Sequence, residues 1–124
     1  MLLSVVGENC QNNPIEVKLV QVLLNHWLGQ NQRTLLIVDG IVGPLTSGAI
    51  KGFQGASGII HDGRVDPNGP TIKALVNFQL ESIRAALLND PNGRRLLKSS
   101  PLEQSSAADF LTGLRAIVKK ADQV

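Results

Sequence analysis

The feature that most restricts this chain is a turn-and-helix unit written twice. The first copy reads Asp39-Gly40-Ile41-Val42-Gly43-Pro44 and continues through Thr46, Ala49, Ile50, Phe53 and Gln54. The second reads Asp62-Gly63-Arg64-Val65, then Gly69-Pro70, Thr71, Ala74, Leu75, Phe78 and Gln79. Counted from the threonine, Ala follows at three, Ile or Leu at four, Phe at seven and Gln at eight in both copies. Asp66-Pro67-Asn68 lengthen the second loop, and Leu45 is the extra residue of the first. Matching offsets of this kind mark one supersecondary unit used twice. Asp-Gly makes a tight turn, because Gly accepts positive φ and the Asp carboxylate can bond the backbone two residues on. Val42 and Val65 tuck inward after the turn. Gly-Pro then opens a helix, and the Thr, Ala, Ile or Leu, and Phe positions form its apolar face. The pattern predicts helices over about Pro44–Gln54 and from Pro70 onward.

A helix is predicted before the pair. Asn13 is a natural N-cap, Pro14 suits the first helical position, and Glu16 completes a capping-box spacing. Val17, Val20, Leu24 and Trp27 recur at helical intervals, with Leu23 and Leu28 widening the stripe until Gly29 ends it. This gives a helix over Pro14–Leu28. Leu2 to Val6 reads as a short strand, Leu35 to Val38 as a short buried extended segment, and Ile59-Ile60 as a short apolar segment before the second turn. The third helix runs on to about Leu88, since Ile72, Val76, Leu80, Ile83 and Leu87 add a second stripe before Asn89-Asp90-Pro91-Asn92-Gly93 breaks it. Two stripes require two partners, and the tail supplies the second. Ser106 and Asp109 are spaced as a cap pair, and Phe110, Leu114, Ile117 and Val118 share a face. Lys119 and Lys120 in the last turn suit the helix dipole. A helix near Ala107–Lys120 on the distal half of the third helix is therefore expected, with Ser99 to Ser105 as the connection and a further turn at Arg94–Lys98.

Composition narrows the function classes. Charged residues are 18% of 124, and the formal net charge is +2, too balanced for a phosphate-coating surface. Aromatic content is 3%, with one Trp, three Phe and no Tyr, which excludes a broad stacking platform for single strands or sugars. One cysteine, Cys10, allows no internal disulfide and no Cys-rich zinc site. No apolar run reaches the roughly 20 residues a membrane span needs. Met1 to Gly7 has no Lys or Arg and is a poor secretory signal, and Gly7-Glu8-Asn9 before Cys10 does not suit a lipoprotein signal. The expectation is a chain that stays in the cytoplasm or leaves for the periplasm or cell wall by a signal-independent route.

Catalytic chemistry finds little support. His26 and His61 lack metal-ligand spacing, and Cys10 has no local base, so neither a metal nor any other cofactor is expected. Asp62, Asp66 and Asn68 miss the alternating spacing of a calcium loop, and no P-loop lysine accompanies Gly43 or Gly69. A binding reading fits better. The two turns would line a shallow groove offering backbone amides, the Asp39 and Asp62 carboxylates, Arg64 and an edge of Trp27, groups suited to a polar ligand. Turn chemistry alone equally accounts for Asp39, Gly40, Gly43, Asp62 and Gly63. Capping or packing equally accounts for Thr46, Thr71, Gln54 and Gln79.

Three motifs in order carry a resemblance. They are Val17-x-x-Val20-Gln21-x-Leu23-Leu24-Asn25, the segment Val38 to Gln54, and Asp62-Gly63-Arg64-Val65-Asp66-Pro67-x-Gly69-Pro70-Thr71-x-x-Ala74-Leu75. From about Asn13 to Leu75 the chain resembles the bacterial peptidoglycan-binding domain of the three-helix type. Ser4-Val5-Val6-Gly7 and the Asp-Pro-Asn-Gly-Pro-Thr stretch are similar to a subgroup associated with type VI secretion. The resemblance implies an all-α, three-helix core; the duplicated loop–helix unit and an added C-terminal helix come from the chain's own pattern, and the longer third helix and the tail after Gly93 depart from the family. Residues 1–90 would form the domain and 91–124 an extension packed on the third helix. It implies noncatalytic binding of wall glycan or stem peptide, positioning a partner hydrolase or secreted effector, through Asp39, Gly40, Ile41, Val42, Gly43, Asp62, Gly63 and Arg64. The rival reading is a protein–protein adaptor or effector-associated protein, immunity-like or chaperone-like, that reuses the fold without wall binding.

Overall fold

A computed structural model describes residues 1–92 and 107–122. The elements run β1 (Val6–Gly7), α1 (Pro14–Gln30), α2 (Pro44–Ala56), β2 (Arg64–Val65), α3 (Pro70–Leu88) and α4 (Ala107–Asp122). The fold is all-α apart from the two short strands. The expected turn at Arg94–Lys98, the Ser99–Ser105 connection and the Ser106 cap lie outside the described residues.

α1 is the central element because it is apolar on most of its circumference. Val17, Leu19, Val20, Leu23, Leu24, Trp27 and Leu28 are all buried on it. A helix of that kind needs neighbours on several sides, and α1 packs against α2, α3, α4 and β1. Asn13 caps it as the sequence predicts, its side chain accepting from Ile15 N at 3.0 Å and Glu16 N at 3.4 Å. Gly29 does not end it. The helix continues to Gln30, where the Asn31 side chain donates to Trp27 O at 2.8 Å and Gln32 turns to positive φ. α2 and α3 both start with proline after an extended Gly43 or Gly69, without a side-chain cap.

Three expectations are corrected by packing. The Leu2–Val6 strand is only Val6–Gly7, antiparallel to β2 with Val6 opposite Val65 and Gly7 opposite Arg64. Its partner is two residues long, hemmed between the Gly63 turn and Asp66-Pro67, so there is little ladder to pair with. The Leu35–Val38 segment is not buried: Leu35 is 56% and Ile37 81% exposed. It is held by polar bonds instead, Asn25 Oδ1 accepting from Leu36 N at 2.6 Å and Asn25 Nδ2 donating to Leu36 O at 3.0 Å. The apolar side of α4 keeps Phe110, Leu114 and Val118 on the core as expected but is rotated at its edge, taking in Leu111 and leaving out Ile117. Leu111 and Val118 are buried while Ile117 is 66% exposed.

That rotation follows from where α4 sits, against α1 as well as α3. Leu19 and Leu111 are both fully buried, and each such side chain contributes about 2 kcal/mol. Arg115 adds the polar tie. Its guanidinium donates to both Glu16 oxygens at 2.9 Å and to Met1 O at 2.7 Å. Glu16, 1% exposed, also accepts from Leu3 N. The glutamate expected to close a capping box is thus turned away from Asn13 to the chain's two ends.

Candidate functional site

Each Asp-Gly turn is locked by a glutamine from the helix before it. Gln21 Nε2 donates to Asp39 Oδ1 at 3.0 Å, Ile41 O at 3.1 Å and Thr46 Oγ1 at 3.2 Å, while its Oε1 accepts from Gly40 N at 3.0 Å. Gln54 Nε2 donates to Asp62 Oδ1 at 2.9 Å, Arg64 O at 3.0 Å and Thr71 Oγ1 at 3.0 Å, and its Oε1 accepts from Gly63 N at 2.9 Å. The two sets match atom for atom. Both glutamines are fully buried, and a primary amide has both the donors and the acceptor such a loop requires. Gly40 and Gly63 stand at φ +78° and +73°, the left-handed region where glycine is favoured.

The aspartates act as foreseen, Asp39 Oδ1 accepting from Ile41 N and Asp62 Oδ1 from Arg64 N, both at 3.0 Å. Hydrogen bonds to a carboxylate favour its charged form. The Gln21 amide, then the Ile41 N–H, hold Asp39 below the usual carboxylate value. For Asp62 the Arg64 N–H leads and Gln54 follows. Arg64 is pushed up by its bond to Asp66, an exposed pair at 2.8 Å. So both carboxylates stay anionic, and the Arg64 guanidinium is engaged with a neighbour.

A lysine lies over each turn glycine. A Cβ built on Gly40 would stand 3.3 Å from Lys18 Cε, and one on Gly63 would stand 2.9 Å from Lys51 Cε. Lys51 also lines a cleft of about 330 Å³ with Val42, Gly43, Pro44, Ser47, Gly48 and Glu8. One wall is therefore the first loop. The other carries Lys51, seated on Gly63, and Glu8, next to the Gly7 that pairs with Arg64. The first Asp-Gly turn leads directly into this cleft, whereas the second reaches it only through Lys51, and neither aspartate lines it. A smaller hollow of about 170 Å³ lies across Gly43 and Pro44 and is lined in part by Asp39, Ile41, Ile37 and Leu45.

The residues singled out from sequence thus divide. Val42 and Gly43 line the larger cleft, and Asp39, Ile41 and Gly43 the smaller. Gly40 and Gly63 are buried turn positions, and Asp62 and Arg64 are exposed beside the second turn. Trp27 belongs to the core. It is 6% exposed, with its ring edge-on to Phe53 at 5.5 Å and the Arg33 guanidinium 5.4 Å over it. Gln21, Ser47, Gly48, Lys51 and Glu8 were not foreseen. The signal for the glutamine was present, since Lys-x-x-Gln precedes each Asp-Gly. It was masked because Gln21 stands 18 residues before Asp39 but Gln54 only eight before Asp62. Among the described residues no three His, Cys, Asp or Glu side chains converge as a metal site would require.

Comparison with known proteins agrees with this architecture. The family model described as "Putative peptidoglycan binding domain" matches residues 14–79, from the first residue of α1 through both locked turns into α3. No curated protein and no solved structure matches the chain significantly. The match covers more than half of the chain, which belongs to the peptidoglycan-binding domain family.

Proposed function

We propose that this protein binds bacterial cell-wall peptidoglycan without cleaving it and so positions a partner, either a wall hydrolase or an effector exported by a type VI-like route. The observation that carries this reading is the cleft beside the first Asp-Gly loop, with Lys51 joining it to the second turn and both turns made rigid by Gln21 and Gln54. A preorganised rim loses little ordering entropy on binding. Val42 and Gly43 line the cleft and Asp39, Ile41 and Gly43 the hollow beside it, while Gly40, Asp62, Gly63 and Arg64 shape the turns and Trp27 supports α2. Noncatalytic binding is the economical reading, since among the described residues lining the cleft no hydrogen bond joins a nucleophile to a base. Co-sedimentation with insoluble peptidoglycan tests it. The protein is expected in the pellet at modest salt, and protein left wholly in the supernatant overturns the proposal.

A second reading, an adaptor that binds another protein, is favoured by a different observation. Leu35, Ile37, Ile41 and Leu45 are 56–81% exposed on the first loop and the start of α2. Exposed apolar side chains grouped in this way suit a protein interface. Serine replacements at Ile37 and Leu45 separate the readings: retained wall binding with loss of a co-purifying protein assigns the strip to the adaptor role.

A further inference from the structure

The 330 Å³ cleft has features that the turn chemistry does not use. Its volume is near the lower limit for small-ligand sites, enough for a short peptide end rather than a glycan strand. Sugar rings are commonly held on exposed aromatic faces, and here Trp27 and Phe53 are buried while Phe78 and Phe110 are half-buried. The cleft instead carries opposite charges. Lys51 and Glu8 both line it, both are exposed, and neither forms an ion pair among the described residues. Ser47 also lines it, 7% exposed, with no hydrogen bond to its hydroxyl among the described residues. Two glycines complete the lining. A Cβ on Gly43 or Gly48 would meet nothing within 4 Å, so their missing side chains leave space open. Gly48 lies inside α2, where glycine is a poor helix former and the fold gives it no steric reason to be there.

We propose that this cleft is a subsite for the zwitterionic peptide end of the wall polymer. Lys51 takes a terminal carboxylate, Ser47 meets a backbone amide, Glu8 takes an ammonium, and Gly43 and Gly48 give the peptide room to lie against α2. This rests on the wall-binding reading and narrows it to the stem peptide. Glu8 lies outside the stretch matched by the family model, in the N-terminal segment before α1.

The test titrates the full chain with a stem pentapeptide that has a free lysine side chain and ends in D-alanyl-D-alanine. Two control peptides have that terminus amidated or that side chain acetylated. Exposed charge pairs predict a three- to fivefold loss of affinity for each control. Lys51→Met should cause the same loss for the free acid and none for the amide. Glu8→Gln should do likewise for the free and acetylated amines. Gly48→Leu should abolish binding of every peptide without lowering the melting temperature, which separates a blocked cleft from a damaged fold. Equal affinity for acid and amide, or wild-type affinity in Lys51→Met or Gly48→Leu, overturns the proposal. Co-sedimentation distinguishes the two levels. Pelleting of wild type and Gly48→Leu alike with insoluble peptidoglycan leaves wall binding standing and removes this subsite, whereas wild type in the supernatant removes the wall-binding reading itself.

Discussion

Gln54→Leu measures how much of the second turn depends on one amide. The replacement is nearly isosteric, so cavity cost is small and the loss is chiefly polar. Four partners lose their bond: Asp62 Oδ1, Arg64 O, Thr71 Oγ1 and Gly63 N. Asp62 is exposed and recovers its bond from water. Thr71 is 3% exposed and the Gly63 contact is buried, so these two groups are left without solvent. An orphaned buried donor or acceptor costs about 1–3 kcal/mol, and allowing the threonine hydroxyl to rotate toward another acceptor, the sum is about 3 kcal/mol. That is a large share of the stability of a domain this size. With a urea slope of about 1.5 kcal/mol/M it lowers the unfolding midpoint by about 2 M. Trp27, the single tryptophan, packs on Phe53 next to Gln54 and reports the transition by fluorescence. The control is Gln79→Leu. Gln79 occupies the matching position on α3 but has no loop to hold, and its replacement should change stability by less than about 0.5 kcal/mol. Equal midpoints for Gln54→Leu and Gln79→Leu would refute the claim that the amide, not the helix position, organises the turn.

Three further outcomes follow from the same contacts. Arg115→Met leaves Glu16, 1% exposed, without its cation and should cost about 3–5 kcal/mol, while the Glu16→Gln, Arg115→Met double variant recovers much of it in denaturant titration. Gly7→Ala should be harsher than Gly63→Ala. Its Cβ would lie 2.6 Å from the Gly63 carbonyl oxygen, which is backbone, at a cost of about 2–3 kcal/mol, whereas the Lys51 side chain over Gly63 can swing aside and leave about 1–2 kcal/mol of left-handed strain. Acid should weaken the fold through Asp39 and Asp62. Both titrate below their ordinary 3.8 in the folded chain, so their contribution is complete above that value and lost as pH falls through the lower folded value. NMR titration should show Gln21→Leu raising Asp39 more than Gln54→Leu raises Asp62, because the amide is the leading cause only for Asp39.

Much of the fold was legible in the chain. Local chemistry predicted the helix starts, since Asn13-Pro14, Gly43-Pro44 and Gly69-Pro70 act through neighbouring backbone alone. The same holds for the Asp39 and Asp62 turns, whose carboxylates bond the amide two residues on. The docking of α4 on α3 was also legible from their stripes, but most details set by a partner distant in sequence were not. Leu35–Val38 has the composition of a buried strand, yet Asn25 holds it by its backbone at the surface, beside open hollows. Which side of α4 is buried depended on α1 offering Leu19 and Glu16, a choice that helical period alone leaves open by one residue.

The division has one physical cause. Turn and cap preferences are energies between atoms a few residues apart, so the order of amino acids determines them without reference to the rest of the molecule. The glutamine locks, the Arg115 tie and the cleft shared by Glu8, Gly48 and Lys51 join groups separated by up to 114 residues. Their existence depends on loop closures that only the packed core repays, and tertiary structure alone decided which of the chain's polar side chains would hold the fold and which would remain to meet a ligand.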